Sequence, residues 1–192
     1  MAKINFKKGL TDIVLYIIIF IVVQIFLTYA GAGIWAAVKG EGYQATLLAM
    51  GTGNNAILTA LTTVFSNVIT LIIFVKAKWT PLTRNYLQSK PWISLLWVAL
   101  FTLGAIIPLE FVYEQIGVEM DADTERVFAS LMKEPWGYVA IGILAPLAEE
   151  IVFRGAILRT LLDMVSKKNH WVAIFISAAA FGLIHGNKAQ FI

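Results

Sequence analysis

Cysteine is absent from all 192 residues, which excludes disulfides, CxxC redox chemistry and thiolate metal sites. Histidine occurs twice, and without an HExxH the usual zinc-peptidase helix is missing. Net charge is small as well: it is +3, and the basic residues form short clusters between apolar runs rather than a continuous stripe. That pattern serves membrane topology and argues against nucleic-acid binding. Nor does any internal repeat or low-complexity linker divide the chain.

What fills the sequence is apolar. Hydrophobic residues make up 59% and mean hydropathy is +0.77, against about 45–50% apolar residues in ordinary globular domains. Residues 13–30 match the length needed to cross a ~30 Å hydrocarbon core at ~1.5 Å per residue. The expectation is an all-α, polytopic transmembrane helical bundle. It forms one integral-membrane domain over residues 1–192, with a motif-bearing core at 137–192 and peripheral spans at 10–112.

Five spans are expected. Lys3, Lys7 and Lys8 precede the first, at 13–30, which is too long for a signal-peptide core and places the N-terminus in the cytoplasm. The Gly-, Ala- and Asn-rich stretch 31–55 reads as a loop on the opposite side. The second span, 56–75, carries Thr59, Thr62, Thr63, Ser66, Asn67 and Thr70, polar groups suited to joining helices. Lys76, Lys78, Arg84 and Lys90 then mark a cytoplasmic loop. A third span runs from Trp92 to about Leu109, with Pro108 near its end. Residues 110–134 are acidic but fit no EF-hand spacing, and read as a solvated face. A fourth span covers 137–162 and a fifth runs from Trp171 past His185.

The fourth span carries charge inside an apolar run, which costs at least ~2.5–3.5 kcal/mol per group on insertion scales and marks a candidate site. At ~100° per residue Glu150 and Arg154 share a face and can pair. Glu149 lies on another face, with Gly142, Ala145, Phe153 and Ala156. Pro146 tends to kink the helix one turn earlier. On the fifth span Phe181 and His185 share a side with Ser177 and Ala178. Glu149 lies 13 residues from Leu162 and His185 14 from Trp171, so both sit ~20 Å along adjacent antiparallel helices. A level carboxylate and imidazole can activate a water for attack on a carbonyl. A buried Glu–Arg–His network that only fixes helix register is the competing reading.

Glu149-Glu150-Ile-Val-Phe-Arg154 and Phe181-Gly-Leu-Ile-His185 together resemble the CPBP family of intramembrane proteases, the CAAX-protease and bacteriocin-processing (Abi-like) group. Its pattern is EExxxR, then FxxxH, then HxxxN or HxxxD on a later helix. The resemblance implies that Glu149 activates water together with His185, that Glu150 and Arg154 hold the arrangement, and that Phe181, with Phe153, packs beside the site or substrate. The third motif has no counterpart, since His170 precedes the second motif and is followed at the fourth position by Ile174. A C-terminally truncated chain is therefore expected. Although the family is often called metalloprotease-like, one histidine with carboxylates is a poor zinc set. No cofactor is expected, and a divalent metal such as zinc is left open.

The resulting expectation is a membrane endopeptidase acting on a membrane-associated peptide or protein in a bacterial plasma membrane. The lipid bilayer is its other partner. A non-catalytic scaffold or bacteriocin-immunity protein using the same cavity is the alternative. An ion-coupled transporter would also explain buried Glu and His, but paired broken helices are not evident.

Overall fold

A computed structural model describes residues 5–81, 92–117 and 120–186. Lys3, Arg84, Lys90, Pro91, Glu119 and any continuation of the fifth span beyond Gly186 lie outside them. The described residues form seven helices and no strand. These are α1 (Phe6–Lys39), α2 (Tyr43–Gly51), α3 (Ala56–Lys76), α4 (Trp92–Ile116), α5 (Ala122–Leu131), α6 (residues 135–164) and α7 (His170–His185). Three of them, α1, α3 and α4, are long and apolar enough to cross a bilayer. The protein is an all-α membrane bundle in which α6 and α7 stand where the fourth and fifth spans were expected.

Residues 31–55 differ from expectation. They are not a loop: α1 continues unbroken to Lys39, and Tyr43–Gly51 forms α2. Small residues that suggest a loop in water are packing surface between membrane helices. A Cβ on Gly31 would fall on the Thr62 side chain of α3, so glycine lets the two helices close here. The third span likewise runs past Pro108 to Ile116, taking in Glu110 and Glu114. Helix α4 buries none of its residues.

The core is built on α6. Ile13, Tyr16 and Phe20 of α1, Phe74 of α3, Val152, Phe153, Ala156, Ile157 and Leu161 of α6, and Ala173 of α7 form one buried cluster. Phe153 is its hub, meeting Phe20 edge-on at 6.0 Å between centroids and Phe181 at 5.1 Å. Gly9 of α1 lies against Met164 while Phe20 lies against Phe153, so α1 and α6 run antiparallel.

Polar contacts join α1 to α3. The Ser66 hydroxyl donates to Gln24 Oε1 at 2.6 Å, and Gln24 Nε2 donates to Asn67 Oδ1 at 3.3 Å. Thr59, Thr62 and Thr63 instead bond carbonyls of their own helix. Lipid is as apolar as leucine, so such pairs have a modest worth, averaging about 0.6 kcal/mol. Gln24→Leu should therefore destabilise the bundle by about 1 kcal/mol, measured by thermal unfolding in nanodiscs. An unchanged midpoint would show the trio to be idle.

Candidate active site

Helix α6 is irregular around the charged motif. α-Helical Pro135–Gly137, Ala145–Glu149 and Arg159–Met164 alternate with π-helical Tyr138–Leu144 and Glu150–Leu158. Proline supplies a cause for the first wide stretch. In a regular α-helix Pro146 lacks an N–H and crowds the carbonyl four residues back, that of Gly142. Wider turns before it relieve that crowding, and the Ala145 N–H reaches the Ala140 carbonyl, five residues back. The helix absorbs Pro146 by widening. π-Helical bulges of this kind are frequent at functional sites.

Wider turns also change which residues share a face. The small-residue face expected at 100° per residue is not continuous: Phe153 and Ala156 are buried, whereas Gly142 is exposed with nothing near it. Glu149, at the junction between the α-helical and π-helical stretches, is directed to α7. Its Oε1 lies 3.6 Å from His185 Nε2, with the two side chains 27% and 18% exposed. That separation exceeds a direct hydrogen bond but lets a single water reach both atoms.

Three contacts aim the imidazole. The Ser177 hydroxyl donates to the Phe153 carbonyl at 3.3 Å, holding α7 against α6 about two turns before His185. The Phe181 ring stands between Phe153 and His185, 4.4 Å from the imidazole centroid. His185 Nδ1 lies 2.8 Å from the Phe181 carbonyl oxygen. A carbonyl only accepts, so Nδ1 carries hydrogen and Nε2 is the nitrogen that faces Glu149.

Glu150 and Arg154 form an ion pair with each other along the helix. Neither makes a hydrogen bond to Glu149 or His185 among the described residues. The structure thus brings together Glu149, His185, Phe181 and Phe153, and sets the Glu150–Arg154 pair beside them. Among the described residues no three His, Cys, Asp or Glu side chains converge. Among the described residues Glu149 and His185 are two donors, fewer than the three-ligand set of a catalytic zinc.

Thr80 is a contact that sequence reasoning missed. Its Oγ1 donates to the Ile151 carbonyl at 2.8 Å, two residues past Glu149. The partners lie 71 positions apart, and no local pattern announces them.

Similarity to a known family falls on this part of the chain. Residues 131–192 match the family described as type II CAAX prenyl endopeptidase Rce1-like. A relative from Bacillus subtilis (strain 168), named "Putative membrane peptidase YdiL", is 29% identical over 110 residues, covering 54% of this chain and 43% of its own length. The chain thus spans less than half the length of that relative. No solved structure matches. Residues 131–192, which carry both motifs, are thus similar to the CAAX-protease family that those motifs resemble.

Proposed function

We propose that the chain is the Glu/His-bearing part of an intramembrane endopeptidase that hydrolyses a peptide bond of a membrane-associated protein or peptide. The observation that carries this reading is the 3.6 Å approach of Glu149 Oε1 to His185 Nε2 across two apolar helices. A water held by both atoms loses a proton to Glu149 as its oxygen attacks the peptide carbonyl carbon. The tetrahedral intermediate collapses with cleavage of the C–N bond, and the pair returns the proton to the leaving amine. A base and acid placed in this way contribute about 10²–10⁴-fold. Phe153 and Phe181 pack the imidazole in place, and Glu150 with Arg154 anchors the flank of α6.

A bacterial plasma membrane with the N-terminus in the cytoplasm is the setting that fits the basic residues Lys7, Lys8, Lys76, Lys167 and Lys168 at one end of the bundle. The test is cleavage of a membrane-embedded peptide by the chain in nanodiscs, compared with Glu149→Ala and His185→Ala. Both variants should lose at least about 10²-fold; unchanged turnover in either would sink the assignment.

A further inference from the structure

Just past α3 the chain makes a turn that plays no part in the reaction above. Lys78 takes φ +58°, a left-handed conformation costing a non-glycine residue free energy that its surroundings must offset. Those surroundings are specific. The Trp79 N–H donates to the Phe74 carbonyl at 3.0 Å, and the Trp79 ring packs on Tyr16 and Phe74 at 5.0 and 5.1 Å between centroids. The turn lays the next residue, Thr80, on α6.

Thr80 is 7% exposed and grips α6 at two places. Its hydroxyl donates to the Ile151 carbonyl. Its side chain fills the space in which a Cβ of residue 155 would stand, which is why Gly155 suits that position. Ile151 belongs to the π-helical stretch Glu150–Leu158 that starts directly after Glu149. π-Helices normally last a single turn, so a run of 9 residues needs support from outside the helix. A carbonyl has two lone pairs. At Ile151 the helix uses one and Thr80 the other.

We infer that Thr80 is a positioning residue: its hydroxyl, by holding the Ile151 carbonyl, sets the wide turn after Glu149 and with it the direction in which Glu149 meets His185. This rests on the reading of Glu149 and His185 as the reacting pair. Thr80 itself touches neither.

Thr80→Val keeps the shape and removes the hydroxyl, whereas Thr80→Ser keeps the hydroxyl. In the full chain, Thr80→Val should lower kcat about 10- to 100-fold with KM unchanged, and Thr80→Ser should restore it. The 15N shifts of the His185 imidazole give a second readout that needs no turnover; with two histidines in the chain, His185→Gln assigns them. They should move in Thr80→Val and stay in Thr80→Ser. Wild-type kcat in Thr80→Val, a loss confined to KM, or equal impairment by Val and Ser would overturn the inference. If the wild-type chain cleaves nothing, the peptidase reading fails, and the imidazole shifts alone decide: unmoved in Thr80→Val, or moved equally in both variants, they overturn the positioning role. Should Thr80→Val not fold, Gly155→Ala, which drives Thr80 from its seat, is judged by the same two readouts.

Discussion

Glu149→Gln is expected to lower turnover about 10²–10⁴-fold while leaving the bundle folded. The amide has the size and hydrogen-bonding reach of the carboxylate but cannot take a proton from water. Glu149 is half-buried, and among the described residues the approach to His185 is the one polar contact of its carboxylate. Losing that charge therefore has little structural consequence. Glu150→Gln provides the contrast. It pairs with Arg154, and among the described residues neither makes a hydrogen bond to Glu149 or His185, so its loss of turnover should be far smaller than that of Glu149→Gln. Turnover by both variants, measured in nanodiscs against thermal midpoints, separates the two carboxylates. Wild-type cleavage by Glu149→Gln would favour a scaffold that binds peptides without cutting them. Equal loss in both variants would mean that the pair acts as one unit and that the division of roles is wrong.

Gly137→Ala is expected to destabilise the protein by about 3 kcal/mol, lowering the thermal midpoint by about 6–12 °C. Gly137 is buried at the corner where α5 gives way to α6, and its N–H donates to the Glu134 carbonyl at 2.9 Å. A Cβ there would fall on the carbonyl of Leu131, a residue only 3% exposed. Backbone cannot rotate aside as a side chain can, so the corner itself must move. Gly142→Ala is the control, because a Cβ at Gly142 meets nothing within 4 Å; alanine's better helix propensity should leave the midpoint unchanged or raise it. Melting curves in nanodiscs read both. If Gly137→Ala melts with the wild type, the close approach to Leu131 is not a constraint on the fold.

Much of this architecture can be read before any coordinates, because an apolar run long enough to span a bilayer has few alternatives to helix. Counting residues from helix ends set Glu149 level with His185, and the two side chains approach to 3.6 Å. Angles were less secure than depths: Pro146 signals a disturbance, but its resolution into π-helical turns redistributes the faces, so Phe153 and Ala156 are buried while Gly142 is not. The helical continuation through Gly31, Ala32 and Gly33 was hidden because small residues mean turns in water and close contact in a membrane. Gln24 and Thr80 carried no signal, since each acquires its role from partners far along the chain.

The hydrogen on His185 Nδ1, directed to the Phe181 carbonyl, bears on electroneutrality. With that hydrogen fixed, the proposed step starts from a Glu149 carboxylate, and a pair that also held a proton on Nε2 would be neutral overall. When attack by water creates an oxyanion and adds a proton to the pair, the positive charge gained matches the negative charge formed on the substrate. In the proposed reaction no counterion has to be drawn into a medium where an isolated charge is expensive. In the reaction proposed above, the carboxylate and imidazole of this helix pair would themselves balance the charge that hydrolysis creates.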